Sequence, residues 1–165
     1  MLIDLEPLLQ GGKTKLELDA AFDFSNEELD GGYPFSSPVS VKGSIVNRAG
    51  IVTMEAAASC TMQYVCDRCA APAEKQLCVP MAHTLVAELN REDDADAYIV
   101  IPDGKLDLAQ LTWEDLLLSL PSKLLCRDDC KGICPQCGKN LNEGTCECKK
   151  EIDPRFAALL DLLDS

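Results

Sequence analysis

The chain has 165 residues and a formal net charge of −13, with ten cysteines but a single histidine. This acidic excess argues against a protein that holds nucleic acid through a broad basic surface, since that mode of binding requires an excess of Lys and Arg. The lone histidine excludes a His-rich catalytic metal site, and the apolar fraction of 47% excludes a disordered chain.

The N-terminal segment and the cysteine content together predict a cytoplasmic protein. Residues 1–9 are apolar but include Asp4 and Glu6 and no basic residue, unlike a secretory signal. No stretch of the sequence reaches the roughly 20 uncharged apolar residues that a membrane span requires. Because cytosolic thiols stay reduced, the cysteines are expected to bind metal rather than to form disulfides.

Alternating apolar residues predict a mostly antiparallel β-sheet in the first part of the chain. In chain order, the predicted elements are two short strands separated by Gly11-Gly12, a loop over 25–38, strands over 39–45, 52–64 and 77–89, an acidic connector over 90–97 and a short strand over 98–101.

The two longest predicted strands carry their apolar residues at even positions in the first strand and at odd positions in the second. An antiparallel register that places Cys60 about opposite Val79 brings both apolar sets to one face of the sheet. Cys60 then lies on the apolar face and Cys78 on the opposite one. Both are therefore interpreted as isolated structural thiols rather than as metal ligands.

Two helices are predicted after the sheet. Asp107 suits the N-cap of the first, in which the apolar run 116–120 is expected to be buried. Asp153-Pro154 opens the second helix, with Asp153 as the N-cap and proline at the first helical position. The apolar stripe of this second helix is expected to pack on the rest of the chain.

These elements predict an α+β fold with a predominantly antiparallel sheet, either open or partly closed into a barrel, together with two helices and a C-terminal Cys-rich zinc-binding segment. Residues 1–121 are expected to form the β-rich body, with a Cys-x-Arg-Cys hairpin and one helix. Residues 122–165 are expected to form the Cys-rich segment and the helix that packs on the body. His83 is interpreted as a sheet histidine with its hydrogen bonds satisfied rather than as a catalytic base, and Trp113 as a packing residue rather than as a partner anchor.

The strongest chemical signal is the cysteine pattern of residues 126–148. Cys134-Pro135-Gln136-Cys137-Gly138 is a metal knuckle, since two thiolates separated by two residues reach one ion across a tight turn and the glycine lets the backbone curl beneath it. Two further pairs lie in the same segment and another lies at the tip of the predicted hairpin: Cys126/Cys130, Cys146/Cys148 and Cys66/Cys69.

These eight cysteines allow two groupings around tetrahedral zinc, with either two ions or one. In the first grouping, one zinc is bound by Cys134, Cys137, Cys146 and Cys148 and a second by Cys66, Cys69, Cys126 and Cys130. In the other, a single zinc is bound by Cys126, Cys130, Cys134 and Cys137. At least one ion is expected within residues 126–148, because this segment has too few apolar residues to pack otherwise. Iron on four thiolates is the less favoured alternative.

Three features carry a family resemblance: the Cys66-x-Arg68-Cys69 hairpin followed by Pro72, the helix from Leu106-Asp107-Leu108 to Pro121, and the Cys-rich tail from Cys126 through Leu141-Asn142 to Asp153-Pro154-Arg155. In combination they resemble the YceD family of bacterial and plastid large ribosomal RNA subunit accumulation proteins. The resemblance implies a non-enzymatic role in making or accumulating large-subunit ribosomal RNA. Ala71 and Ala73 stand where such hairpins often carry basic and aromatic residues, so an RNA contact at these positions would be weakened here.

The resemblance and the charge distribution lead to one main hypothesis, a non-catalytic, zinc-stabilised factor in ribosome assembly. Residues 126–155 contain six basic and six acidic residues, whereas the rest of the chain contains nine basic and 22 acidic ones. Such an acidic body would attract basic ribosomal proteins or pre-50S particles and repel bare RNA. A local contact with ribosomal RNA would involve the basic residues near the cysteines: Arg68, Arg127, Lys131, Lys139, Lys149 and Lys150.

Two other classes of function remain open from the sequence. A zinc-ribbon nucleic-acid-binding protein, such as a transcription accessory factor, would require an exposed basic surface on the ribbon. A thiol oxidoreductase would use Cys66 and Cys69, because the thiols of a Cys-x-x-Cys motif can have lowered pKa values. No membrane partner or small-molecule substrate is expected.

Overall fold

The computed structural model describes residues 1–29, 31–88 and 98–148. Its elements follow in the order β1 (Leu2–Asp4), α1 (Glu6–Leu9), β2 (Lys15–Phe22), β3 (Val39–Arg48), β4 (Ile51–Val65), β5 (Pro72–Val86), β6 (Ile99–Val100), β7 (Lys105–Asp107) and α2 (Leu108–Ser119). A single 3₁₀ turn, Pro102–Gly104, lies between β6 and β7. The described part of the chain is therefore mostly sheet with two helices.

The central sheet has five strands in the order β2-β3-β4-β5-β6. The first four pair antiparallel, whereas β6 runs parallel to the last two residues of β5. Within the described residues β2 and β6 are edge strands that do not pair with each other, so the sheet is open and the barrel alternative is wrong. The sheet is mixed rather than wholly antiparallel. Alternation of apolar residues could not show this, because it marks the faces of a strand and not its direction.

The β4–β5 hairpin has the predicted parity but not the predicted register. Even-numbered residues of β4 lie opposite odd-numbered residues of β5, with Ala58 opposite Val79 and Cys60 opposite Leu77. The predicted pairing of Cys60 with Val79 is wrong by two residues. A shift of two residues leaves every side chain on the same face of the sheet. Cys60 is accordingly buried and Cys78 exposed, as predicted.

Helix α2 and the segment between β2 and β3 pack on the apolar face of the sheet. The Trp113 ring contacts Phe24 and Phe35, with ring centroids 5.2 and 5.8 Å apart. His83 of β5 and Asp115 of α2 join the helix to the sheet, with Nε2 and Oδ2 separated by 2.7 Å. Trp113 is thus a packing residue, as the sequence predicts, and His83 is a sheet residue whose ring has a hydrogen-bond partner.

Helix α2 begins where the sequence predicts, but its last turn is buried on one side only. The Asp107 carboxylate accepts hydrogen bonds from the backbone N–H groups of Ala109 and Gln110, at 3.1 and 3.3 Å, as an N-cap does. Leu116 is fully buried, whereas Leu118 is 85% exposed. Successive residues of a helix point about 100° apart, so a helix lying on one face of a sheet exposes part of any apolar run.

The N-terminal residues contain more structure than the predicted strand. β1 pairs antiparallel with β7 in a separate two-stranded sheet, and α1 follows with Pro7 in its first turn, a position that proline tolerates. The predicted connector over 90–97 and the predicted helix after Asp153 lie outside the described residues, so the 122–165 unit stays a prediction. Among the helices that the structure describes, none combines the length and the apolar composition needed to cross a membrane.

Candidate metal centres

The structure brings the eight predicted ligands together as two groups of four. The hairpin cluster consists of Cys66, Cys69, Cys126 and Cys130, and the ribbon cluster consists of Cys134, Cys137, Cys146 and Cys148. Within each cluster all four sulfur atoms lie within 4.8 Å of one another. This arrangement corresponds to the first of the two groupings that the sequence allows. Cys60 and Cys78 belong to neither cluster.

The sulfur separations fit metal ligation and not disulfides. In the hairpin cluster the Sγ atoms of Cys66 and Cys130 are 3.8 Å apart, and those of Cys69 and Cys126 are 3.6 Å apart. A tetrahedral ion with metal–sulfur bonds of about 2.3 Å places its sulfurs about 3.8 Å from one another, whereas a disulfide requires about 2.05 Å. All ten cysteines are free. The two clusters could therefore each hold a metal ion.

Both clusters begin with the same backbone turn. In the ribbon cluster the Cys134 N–H donates to the Lys139 carbonyl at 2.8 Å, and the Gly138 N–H donates to the Cys134 carbonyl at 2.9 Å. Gly138 has a φ of +71°, the left-handed conformation that glycine adopts without steric cost. The predicted knuckle is thus formed at residues 134–139.

The turn between β4 and β5 repeats this hydrogen-bond pattern. The Cys66 N–H donates to the Ala71 carbonyl at 2.9 Å, and the Ala70 N–H donates to the Cys66 carbonyl at 2.9 Å. Ala70 takes the place of the glycine, with a φ of +55°. The Cys66/Cys69 turn is therefore a second knuckle rather than an ordinary hairpin turn. The sequence did not reveal this equivalence, because alanine is an unexpected residue in a left-handed conformation.

The segment after α2, residues 122–148, docks on this hairpin turn and supplies the remaining ligands of the hairpin cluster. The Asp67 N–H donates to the Leu124 carbonyl at 2.9 Å, and the Asp67 carboxylate accepts from the Leu124 N–H at 2.6 Å. The Arg68 carbonyl accepts from the Ile133 N–H at 3.1 Å, and the Arg68 guanidinium donates to the Cys130 carbonyl at 3.1 Å. The hairpin cluster thus lies within an interface between the sheet and the Cys-rich segment.

The two clusters differ in their exposure to solvent. In the hairpin cluster the side chains of Cys66, Cys69 and Cys130 are only 2%, 5% and 4% exposed, and Cys126 alone is open to solvent. In the ribbon cluster only Cys134 is buried. Cys146 is half-buried, and Cys137 and Cys148 are exposed.

The electrostatics of the hairpin cluster lower the pKa of some of its thiols and raise that of others, which opposes a full set of four thiolates. Burial raises the pKa of the Cys66 thiol, but hydrogen bonds from backbone N–H groups, that of Cys126 foremost, outweigh it and bring the pKa to about 6. Partial burial of the Cys126 sulfur and the neighbouring thiols of the cluster raise the pKa of Cys126 to about 12. All four thiolates can therefore form together only when a cation compensates their charge.

The ribbon cluster shows the same contrast. Backbone N–H groups of Cys137 and Gln136 lower the pKa of the Cys134 thiol to about 6. The neighbouring Cys137 thiol, together with burial, raises the pKa of Cys148 to about 12. Cys134 is thus readily ionised and Cys148 is not. Four converging sulfurs are the donor set that thiophilic divalent cations bind. The role of these residues as ligands stays a prediction.

One residue near the clusters has a role that spacing alone does not indicate. The Asn142 side-chain amide donates a hydrogen bond to the Cys130 sulfur at 3.3 Å, and this bond lowers the pKa of the Cys130 thiol. Asn142 appears in the sequence only as part of the tail motif that follows the second knuckle. Its contact with the hairpin cluster depends on how the chain folds back, so the motif gave no sign of it.

Comparisons with known proteins connect this arrangement with a family. A family model described as "Large ribosomal RNA subunit accumulation protein YceD" matches residues 54–163, a range that contains both clusters. A Mycobacterium tuberculosis protein bearing the name "Uncharacterized protein" is 32% identical over 104 residues, which cover 59% of this chain and 49% of the relative. A Mycobacterium leprae protein of the same description is 36% identical over 76 residues, covering 46% and 34%.

The chain spans about half the length of the curated Mycobacterium tuberculosis relative it matches. No solved structure matches the chain.

Proposed function

The chain belongs to the YceD family of large ribosomal RNA subunit accumulation proteins, and we propose that it is a cytoplasmic, non-catalytic factor in the accumulation of large-subunit ribosomal RNA during ribosome assembly. The family match over residues 54–163 is the observation that carries this proposal. The matched range includes β5, α2 and every residue of the two clusters.

Zinc is the proposed metal, with one ion in each cluster. Four thiolates at tetrahedral separations form the donor set of structural zinc sites, which leave no open position for a substrate. The Cys-rich segment has little apolar packing of its own, since Leu124 and Leu125 are half-buried and Ile133 is 45% exposed. Its folding free energy would then come from metal binding. In this proposal zinc holds residues 122–148 against the hairpin turn.

The charge distribution supports contacts with basic ribosomal proteins more than a direct clamp on RNA. The acidic excess lies outside residues 126–155, which carry equal numbers of acids and bases. Several basic side chains near the clusters are already engaged within the protein. Arg68 donates to the Cys130 carbonyl, Arg127 to the Asn142 side chain and Lys139 to the Thr145 carbonyl. Ribosomal proteins on pre-50S particles are therefore the proposed partners, with any RNA contact local.

A redox role for the hairpin thiols is less well supported than a metal-binding role. Both Cys66 and Cys69 are buried, whereas a catalytic dithiol must reach its substrate disulfide. The two thiols lie in the turn between β4 and β5 and belong to a four-sulfur cluster. Reactive Cys-x-x-Cys pairs gain from the positive end of a helix dipole, and the described residues place no helix N-terminus there.

Depletion of the protein in its host tests the proposed role. We expect the amount of large-subunit ribosomal RNA to fall relative to small-subunit RNA, and tagged protein to sediment with pre-50S particles in sucrose gradients. An unchanged ratio of the two RNAs would contradict the role in accumulation. Tight binding of naked ribosomal RNA by the purified protein, with a steep dependence on salt, would contradict the protein-mediated mechanism.

A further inference from the structure

The two clusters are linked along the chain by residues 131–133, which separate Cys130 from Cys134, and across space by a second short segment, residues 140–142. This segment lies in the chain between Cys137 and Cys146, so its position depends on the ribbon cluster. Its contacts, however, reach residues 127–133, which carry a ligand of the hairpin cluster. The Leu141 N–H donates to the Gly132 carbonyl at 2.9 Å. A change that orders one cluster therefore acts on the backbone that holds the other.

The Asn142 side chain makes the most direct of these contacts. Its Nδ2 group donates to the Cys130 sulfur at 3.3 Å, while its Oδ1 atom accepts from the Lys131 N–H at 2.8 Å and from the Arg127 guanidinium at 2.7 Å. The Asn140 side-chain oxygen accepts from both the backbone and the side-chain N–H groups of Asn142, at 3.0 and 2.9 Å. These bonds fix the amide in one orientation, with its donor directed at a ligand sulfur.

From this arrangement we propose that Asn142 couples the two metal sites, so that metal at either cluster raises the affinity of the other. This inference rests on metal binding at both clusters, as proposed above. A metal in the ribbon cluster closes the loop between Cys137 and Cys146 and thereby positions Asn142 to bond Cys130. Hydrogen bonds to ligand atoms orient the ligands and tune metal affinity. By thermodynamic linkage, a metal at Cys130 favours the ordered loop equally.

The coupling can be measured on the full chain by zinc titration against a chromophoric chelator, with native mass spectrometry to count bound ions. Cys66→Ser/Cys69→Ser leaves only the ribbon cluster, and Cys146→Ser/Cys148→Ser leaves only the hairpin cluster. The product of the two stepwise affinities of the intact chain, divided by the product of the two single-site affinities, gives the coupling factor. We expect a factor of about five or more. A factor of one would overturn the proposal.

Should a double variant fail to fold, the exposed ligands provide milder changes. Cys126→Ser disables the hairpin cluster and Cys148→Ser the ribbon cluster, each at a solvent-exposed position. The same ratio of affinities then gives the coupling factor.

The part played by Asn142 is tested by repeating the cycle in Asn142→Ala. We expect the coupling factor to fall, because the loop no longer bonds the Cys130 sulfur and only the backbone bond of Leu141 with Gly132 still joins it to that segment. Thr145→Ala, at an exposed residue of the same loop, should leave the factor unchanged. A role of Asn142 that is only structural would weaken the single sites and leave the coupling intact, so a coupling factor that persists in Asn142→Ala would overturn the assignment.

The outcomes also separate this inference from the proposed function. Two zinc ions bound with independent affinities would overturn the coupling and leave the two metal sites standing. A chain that binds no zinc would overturn the proposed structural role of the metal together with the coupling.

Discussion

The hairpin cluster and the ribbon cluster share one type of knuckle but draw their remaining ligands from very different distances along the chain. In the hairpin cluster, the close sulfur pairs join residues 64 and 57 positions apart. The ribbon cluster takes all its ligands from residues 134–148. A cross-link between distant segments restricts far more of the unfolded chain than one within a short loop. The same four-sulfur chemistry therefore stabilises a tertiary interface in one case and a local loop in the other.

Burial follows the same division. The hairpin cluster lies between the sheet and the Cys-rich segment, so three of its four ligands are buried, whereas the ribbon cluster has one buried ligand. The ribbon cluster takes all of its ligands from one loop, and three of the four are exposed or half-buried. Loss of the hairpin cluster should therefore release residues 122–133 from the sheet, whereas loss of the ribbon cluster should act mainly within residues 134–148.

The largest effect is expected from Cys66→Ser/Cys69→Ser. The hairpin cluster would lose its metal, and residues 122–133 would lose the docking that this metal stabilises, since binding free energy is folding free energy in such sites. We expect their amide hydrogens to exchange about 100-fold faster or more, while the protection of β2–β5 persists. Hydrogen exchange with mass spectrometry measures both regions.

Cys78→Ser is the matched control for this experiment, because Cys78 is an exposed cysteine of β5 that belongs to neither cluster. It should leave exchange and metal content unchanged. Unaltered protection of residues 122–133 in the Cys66→Ser/Cys69→Ser variant would show that hydrogen bonds alone, such as those of Asp67 with Leu124, hold the segment in place.

A smaller effect is expected from Cys146→Ser/Cys148→Ser. Only the ribbon cluster would lose its ion, so native mass spectrometry should find one zinc per chain instead of two. At a zinc concentration that saturates the hairpin cluster, faster exchange should be largest in residues 134–148, because the docking hydrogen bonds and the hairpin ligands remain in place. Loss of protection that spreads to the hairpin turn, as in the first variant, would remove the distinction between the two clusters.

Both clusters should lose metal as the pH falls. In the metal-free protein, Cys126 and Cys148 have pKa values of about 12, so each carries a proton at neutral pH that the metal must displace. Zinc affinity should therefore rise with pH by at least about tenfold per pH unit at each cluster. The dependence should steepen below about pH 6, where Cys66 and Cys134 also become protonated.

Competition titrations from about pH 5 to about pH 9 check this dependence, with the chelator's own protonation taken into account. The two single-cluster variants separate the contributions. A zinc affinity that does not change with pH would contradict the assignment of protonated thiols to Cys126 and Cys148.

The smallest effects concern the fifth residue of each knuckle. Ala70 has a left-handed conformation that costs a residue with a Cβ atom about 1 kcal/mol or more. Ala70→Gly should therefore raise the metal affinity of the hairpin cluster by up to about fivefold. Gly138→Ala should lower that of the ribbon cluster by a similar factor. A Cβ at Gly138 meets no atom within 4 Å, so backbone strain is the only cost.

Zinc titration of the two variants measures these opposite shifts. Shifts of the same sign in Ala70→Gly and Gly138→Ala would contradict the structural equivalence of the two knuckles. They would leave the grouping of the ligands unaffected.

For much of the sheet, the sequence predicted which side chains lie on the buried face and which on the exposed face, but not how the strands pair. The alternation of apolar residues placed Cys60 inside and Cys78 outside, and both placements are confirmed. It did not set the register, since a shift of two residues preserves the faces. It also did not reveal β6 as a parallel partner of β5, because the two strands meet through a tertiary contact. The exposure of Leu118 likewise depends on where the sheet lies relative to α2.

The sequence by itself determined which eight cysteines could bind metal, because a Cys-x-x-Cys knuckle and closely spaced thiols are local features that a short stretch of chain expresses. Only the tertiary structure decided how they are grouped. The hairpin turn and the Cys-rich segment are far apart in sequence, and no spacing rule connects them. The contact of Asn142 with Cys130 and the left-handed Ala70 have the same origin. Each depends on how the Cys-rich segment or the β4–β5 turn folds back, which only long-range packing and hydrogen bonding determine.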